Sequence, residues 1–323
     1  MGMALRVAPA TRTTVGRDFL TLGDYTADEV LRLLDRAAYW KAARGGAAAP
    51  QPLSGKSVAL LFLKPSLRTR VSFDVALHEL GAHPVHLAGG DVGFGHREPT
   101  PDIAHVLSRM VHGIIVRGHR HEDIEELAAA ASIPVINALT ARYHPHQALA
   151  DLLTLRERFG HLAGLRLAFV GDGNNVAHSL MLGAARTGIH FRIACPEGYA
   201  PEAALVAQAE GWAADTGGSV RIVREPAEAV EAADAVYTDV WVSMGQDGET
   251  EARTAAFRGY VVDEALMRHA APHAVFLHDL PAHRGLEVTA GVIDGPASVV
   301  FDQAENRLHT AKAILEAVLG GGA

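Results

Sequence analysis

The chain has 323 residues, 49% of them hydrophobic and 20% charged, a globular composition that excludes disorder as the default state. Its formal net charge of −8 and sequence pI near 6.1 argue against nucleic acid or an anionic membrane surface as partner. The single cysteine, Cys195, lies in the apolar run FRIACP and cannot form an internal disulfide, which fits a reducing compartment and a packing role. No apolar run approaches the ~20 residues of a membrane span, and the N-terminus lacks the apolar core of a secretory signal. A soluble, cytoplasmic protein is expected, with the first dozen residues, MGMALRVAPATR, as a loose leader.

The first helix is signalled by Thr26 as N-cap with Glu29 three residues on, a reciprocal capping box. Val30, Leu33, Leu34 and Ala37 then recur at helical spacing. After the soft linker ARGGAAAPQPLSG, short apolar runs alternate with amphipathic segments. SVALLFL, HPVHLA, GIIVRG and IPVINAL read as strands, and 68–80, 101–111 and 121–131 as helices. Continuous apolar strands separated by helices predict a parallel sheet covered on both faces. A helix over 147–159 leads into a second series of strands: LRLAFVG, HFRIAC, SVRIVR, DAVYTDV, HAVFLHDL and ASVVF. The domain boundary is expected inside or just after that helix. The last helix, about 303–319, carries an apolar stripe suited to packing back on the first domain. The expected class is α/β, with two doubly wound parallel-sheet domains.

In such sheets ligands sit beyond the carboxyl ends of strands, where helix N-termini supply free N–H groups. Ser66-Leu67-Arg68-Thr69-Arg70 follows a strand and opens a helix. Cations at a helix N-terminus oppose the dipole, so this pattern points to a bound anion rather than to helix stability. Arg70 is read as an ion-pair partner standing outside that anion. Arg117 ends an apolar run and, if buried, needs an acid or an anion. His144 and Gln147, at another helix start, can point to one spot, whereas His146 reads as a surface residue. VGDGNN at 170–175 is again strand-to-helix, but Val176 stands where a dinucleotide fingerprint has its third glycine. Asn174 and Asn175 there suit a helix cap or a ligand carboxylate. Asp239, at a strand end, suits an ammonium group; Ser243-Met244-Gly245 follows it, and LHDLPAHRG and Arg307 complete the polar clusters.

Together these stretches resemble the transcarbamylases, in their ornithine-accepting branch, from about residue 18 to 320. The Ser-x-Arg-Thr-Arg and His-Pro-x-Gln motifs are specific to that superfamily, and Asp-x-x-x-Ser-Met-Gly to the ornithine branch. The resemblance implies a carbamoyl phosphate-binding domain over 1–150, an ornithine-binding domain over 151–302 and a returning helix over 303–323, with the active site in the cleft between the domains. It implies that Ser66, Leu67, Arg68 and Thr69 hold the phosphate while Arg117, His144 and Gln147 reach the carbonyl. Asn175, Asp239, Ser243 and Met244 would bind ornithine, and Asp279, Leu280 and Arg307 would close over the carbamoyl group. No metal or other cofactor is expected, and homotrimers or multiples of them are implied.

Two departures from the family pattern stand out. His278-Asp279-Leu280-Pro281 replaces His-Cys-Leu-Pro, and Gly93 stands where the family offers a Gln to a neighbouring subunit. Asp279 is expected to pair with the incoming ammonium beside Asp239. The readings set against this one are a transcarbamylase for another amine such as putrescine or an acylated ornithine, a catalytically silent relative, and a nicotinamide dehydrogenase built on GDGNN.

Overall fold

The computed structural model describes residues 16–46, 49–92, 97–242 and 247–320. The expected leader, Gly93, Ser243 and Met244 lie outside the described residues. Two compact units divide the chain. One comprises residues up to Leu20, Leu31–Ala138 and the segment from Leu308; the other comprises Thr21–Val30 and Leu139–Arg307.

The capping box predicted for α1 (Ala27–Ala43) is present. The Thr26 N–H donates to Glu29 Oε2 at 2.8 Å and the Glu29 N–H to Thr26 Oγ1 at 3.3 Å, satisfying two otherwise unpaired donors. In the first unit follow β1 (Ser57–Phe62), α2 (Arg68–Glu79), β2 (His83–Ala88), α3 (Gly89–Val92), α4 (Thr100–Leu107), β3 (Ile114–Arg117), α5 (His121–Ala130) and β4 (Val135–Leu139). The sheet order is β2-β1-β3-β4, with β1 parallel to both of its neighbours and Phe62 opposite Arg117. β1 and β3 lie inside the sheet and are apolar and buried almost throughout, as strands covered on both faces must be. Their side chains meet Ile103, Ile124 and Leu127 in one core. The C-terminal residues join this unit through Glu316, which accepts from Arg36 and from Trp40 Nε1, and through an ion pair of buried Lys312 with Glu79.

The second unit holds α6 (Pro145–Phe159), β5 (Arg166–Val170), α7 (Asn175–Arg186), β6 (His190–Ala194), α8 (Ala203–Thr216), β7 (Ser219–Val223), α9 (Pro226–Val230), β8 (Ala235–Thr238), α10 (Thr250–Ala256), α11 (Glu264–Met267), β9 (Val275–His278), α12 (Ala290–Ile293) and the first residues of α13 (Val300–Leu319). Its parallel sheet runs β7-β6-β5-β8-β9. Cys195 is fully buried just beyond β6, and burial pushes its thiol up to about 11. Among the described residues, no helix is long and apolar enough to cross a membrane.

One predicted strand is absent. ASVVF makes a single bridge, Ser298 to Phe276, and from Val300 the chain is helical. Val299 and Val300 are buried while Phe301 is 73% exposed. A short apolar run has no period of its own, and here it supplies the first turn of a twenty-residue helix.

Candidate active site

In each sheet the strand order reverses at one point, between β1 and β3 in the first unit and between β5 and β8 in the second. Loops leaving the carboxyl ends of such strands diverge to opposite faces and leave a crevice for a ligand. Of the polar clusters read from the sequence, those of Ser66, Arg117 and Asp239 fall at these two points, while His144 and Gln147 follow β4, the LHDLPAHRG turn follows β9 and Arg307 lies on α13.

In the first unit, β1 ends at Phe62 and α2 opens at Arg68, with Leu67 at its N-cap position. Leu67 has no capping side chain, so the free amides of the first turn are served instead by Ser66, whose Oγ accepts the Thr69 N–H at 3.3 Å. Thr69 is buried, and its Oγ1 accepts from Arg117 Nη1 at 3.2 Å. Arg117 comes from the end of β3 and is only 7% exposed. Ser66, Arg68, Thr69 and Arg117 are thus gathered by the β1–β3 switch. Lys64, absent from the sequence reading, belongs to the same cluster: burial, and then the Arg117 charge, lower its pKa. Its signal in the sequence is its place immediately before the Ser66 motif. Arg70 is exposed and lays its guanidinium over the Phe62 ring, 5.3 Å from the centroid.

In the second unit, His144 occupies the N-cap position of α6, with Pro145 opening the helix. Its N–H donates to Ser179 Oγ at 2.7 Å, and the residue is buried. The Asp279 carboxyl lies between an arginine and an imidazole of this unit: Arg307 Nη1 donates to Oδ1 at 3.3 Å, and His144 Nε2 stands 3.8 Å from Oδ2. Arg307 is 2% exposed, far from the solvated residue that a helix polar face suggests. His146 is not on the surface either. It is completely buried, and its Nε2 pairs with the Arg307 carbonyl oxygen at 2.7 Å, because α6 presents this face to α13. Burial, then the Arg307 charge, hold its pKa well below the ordinary histidine range.

The turn after β9 is held by its own side chains. The Leu280 N–H donates to His278 Nδ1 at 2.9 Å, which makes Nε2 the protonated nitrogen facing buried Glu287 Oε1 at 3.3 Å. Leu280 has φ +65°, a conformation costing a non-glycine residue about 1 kcal/mol and tolerated where surrounding bonds dictate it.

At the β5–β8 switch, Asp239 is 7% exposed. Burial raises its pKa to about 6; His278, the Asn174 amide and the Val240 N–H oppose the rise, and the Asp279 charge adds to it. Asn174 takes the capping role, one of the two that the sequence offered, and adds a contact with Asp239 that the sequence did not suggest. Its Oδ1 caps α7 by accepting from the Val176 and Ala177 N–H groups, and its Nδ2 donates to Asp239 Oδ2 at 2.8 Å. Asn175 Nδ2 donates to the Thr140 carbonyl at 2.6 Å. Gly173 in this turn permits a close backbone approach: a Cβ there would stand 2.2 Å from the Pro201 nitrogen. Gly173 therefore serves chain packing. Nearby, Asp172 pairs with buried Arg253 at 2.8 Å, and Arg253 also donates to the Trp241 carbonyl, steadying the segment that leads from Asp239.

One unit offers cations, hydroxyls and a helix N-terminus, groups that suit an anion; the other offers an imidazole, an arginine and two carboxyls, groups that suit a polar acyl group and an amine.

Comparisons with known proteins point to one family. Residues 17–157 match the family model of the aspartate/ornithine carbamoyltransferase carbamoyl-P binding domain, and residues 163–318 match that of the Asp/Orn binding domain. The ornithine carbamoyltransferase of Symbiobacterium thermophilum is 52% identical over 95% of this chain and 99% of its own length. The anabolic ornithine carbamoyltransferase of Pyrococcus furiosus is 48% identical over 95% and 97% of the two chains. A solved structure of the ornithine carbamoyltransferase from Pyrococcus furiosus superposes with a TM-score of 0.94 at 47% identity, covering 98% of this chain and all of the other. The chain belongs to the aspartate/ornithine carbamoyltransferase family.

Proposed function

We propose that the protein transfers the carbamoyl group of carbamoyl phosphate to the δ-amine of L-ornithine, giving L-citrulline and phosphate, a step of arginine biosynthesis. The observation that carries the reading is the Thr69–Arg117 contact, which joins the opening of α2 to the end of β3 in a cluster built for a phosphoryl group. The relatives named above, of nearly equal length, support ornithine as acceptor.

In this reading Ser66, the Leu67 amide, Arg68 and Thr69 hold the phosphate, and residues 1–150 form the carbamoyl phosphate-binding domain. Arg117, His144 and Gln147 serve the carbonyl end, and Asp279, Leu280 and Arg307 close over the carbamoyl group. Residues 151–302 bind ornithine through Asn175, Asp239, Ser243 and Met244, and residues 303–323 return to the first domain. The neutral δ-amine attacks the carbonyl carbon, the C–N bond forms and the carbonyl oxygen becomes an oxyanion. Arg117 and His144 donate to that oxyanion. The carbonyl then re-forms as the C–O bond to phosphate breaks, Arg68 and the hydroxyls stabilise the departing phosphate, and the amine proton passes to that phosphate. Positioning and preorganised charge supply the rate.

A primary amine has a pKa near ~10, so the reactive form is scarce at neutral pH. Asp279, poised between Arg307 and His144, releases them to the carbamoyl group and turns to the incoming ammonium. We expect no cofactor, a cytoplasmic location, and a homotrimer or a multiple of one. The decisive assay is citrulline formation from carbamoyl phosphate with L-ornithine, putrescine and Nα-acetylornithine offered separately. Turnover with free ornithine alone is expected; preference for either other amine, or no product with any, overturns the assignment.

A further inference from the structure

Beneath the carbamoyl-binding residues of the second unit lies a line of buried amides and one carboxyl whose hydrogen-bond directions can be deduced one from the next. It begins at a group with no choice. The backbone N–H of His278, the last residue of β9, can only donate, and it donates to Gln303 Oε1 at 3.0 Å. That contact orients the Gln303 amide, so its NH2 faces Asp151 Oδ1 at 2.7 Å and Tyr237 Oη at 3.1 Å. Asp151 Oδ1 is therefore an acceptor, and any proton that Asp151 carries resides on Oδ2. The same Oδ1 receives Gln147 Nε2 at 2.7 Å. Gln147 must then turn its NH2 inward, which leaves its Oε1 as a buried acceptor with no hydrogen-bond partner among the described residues. Asp151, Gln147 and Gln303 are each no more than 1% exposed, so water cannot substitute for any of these contacts.

We propose that Gln303 and Asp151 are positioning residues, a relay of hydrogen-bond polarity running from the β9 backbone to Gln147 and fixing it as the acceptor for the amino group of the carbamoyl donor. The proposal rests on the carbamoyl-transfer reading of this site. Without the relay, Gln147 could rotate its amide by half a turn and present two N–H donors instead. With it, a donor substrate bearing a methyl group in place of the NH2 leaves Gln147 Oε1 desolvated and unpaired. Sites built to bond a polar group reject the analogue lacking it far more strongly than apolar pockets reject a missing methylene. The relay thus selects carbamoyl phosphate over acetyl phosphate, which has the same charge and nearly the same shape.

The groups facing Asp151 from the packed elements are Tyr237 of β8, Asp279 after β9 and Arg307 of α13. Burial pushes the Asp151 carboxyl up to about 8, with the Asp279 charge adding and the two glutamine amides and Arg307 opposing. The polarity of the relay is the same in either protonation state, because Oδ1 accepts in both.

The test compares carbamoyl phosphate, acetyl phosphate and inorganic phosphate as ligands, through protection against thermal unfolding and through competitive inhibition of turnover. Four proteins are needed: the wild type, Gln303→Met, Gln303→Glu and Asp151→Asn. Gln303→Met removes the relay. Gln303→Glu retains shape and the His278 contact but turns an oxygen toward Asp151, so it reads out polarity even if the methionine variant is poorly folded. Asp151→Asn conserves an acceptor at Oδ1 and is the rescue control. The wild type should prefer carbamoyl over acetyl phosphate by about 100-fold or more, following the cost of an unpaired buried acceptor. Both Gln303 variants should lose at least about tenfold of that preference while inorganic phosphate binding moves less than about threefold, and Asp151→Asn should keep the preference. Selective binding by a wild type that makes no citrulline would leave the relay standing and remove the functional reading. An unchanged preference in both Gln303 variants, or phosphate and carbamoyl phosphate binding falling together, overturns the relay.

Discussion

Asn174 donates its side-chain N–H to Asp239 Oδ2 at 2.8 Å while its own oxygen caps the helix that begins one residue later. One amide thus joins the start of α7 to the carboxylate expected to receive the α-ammonium of ornithine. The two functions separate by substitution. Asn174→Ala should cost about 1 kcal/mol of stability for the lost cap and raise the KM for ornithine about tenfold. Asn174→Ser should recover the melting temperature but not the KM. Equal recovery of both would show that the Asp239 contact is idle.

Asp239 has a pKa of about 6 in the folded protein, raised chiefly by burial. Protonation below that value removes the charge proposed to pair with the acceptor. The kcat/KM for ornithine should therefore fall as pH drops through about 6, with little change in the KM for carbamoyl phosphate. Since the Asn174 amide holds this pKa down, Asn174→Ala should move the falling limb to higher pH. Initial rates between pH 5 and 9 decide the matter.

Arg117→Lys preserves the charge but not the planar fork that bonds Thr69 and is proposed to bond a phosphoryl or carbonyl oxygen as well. The kcat/KM for carbamoyl phosphate should fall about 100- to 1,000-fold, the range seen when one oxyanion donor is removed. A loss below fivefold would show that charge alone suffices.

Asp279→Cys tests the carboxylate between Arg307 and His144. A carboxylate beside an amine raises the amine's pKa, so its removal should favour the neutral amine at lower pH. The pH optimum for citrulline formation should move toward neutrality. A superimposable pH–rate profile would exclude a role for Asp279 in handling the amine.

Asp151 titrates near 8 when folded and near the ordinary 3.8 when unfolded. Between these values the folded chain holds a proton that the unfolded chain releases, so this group's contribution to stability declines as pH climbs through the window. An amide in place of the carboxyl cannot titrate. The stability of Asp151→Asn relative to wild type should rise from pH 4 to 8, by on the order of a few kcal/mol, as read from urea midpoints; a flat difference would place the Asp151 pKa elsewhere.

Much of the architecture is legible because it is written in local patterns. The Thr26–Glu29 box, the short apolar strands and the Ser66 motif at a strand-to-helix junction each carry their signal within a few residues. What escapes depends on residues distant in sequence. Whether His146 is buried turns on α13, some 160 residues away, and a buried imidazole reads the same as an exposed one in a string of letters. The Asn174–Asp239 bond spans 65 positions, and nothing in GDGNN announces it. Lys64 is overshadowed in the sequence by the arginines beside it, which are the more specific anion ligands. ASVVF misleads differently: three buried or half-buried apolar residues fit either period, and only the helix that follows decides.

The burial of Cys195 has a practical consequence. Its thiol is sealed from solvent and pushed to about 11, so alkylating and disulfide-forming probes will ignore the native chain. A cysteine introduced at any accessible position would be the sole labelling target, and Asp279→Cys would place a spectroscopic reporter at the proposed reaction centre without a cysteine-free background having to be built first.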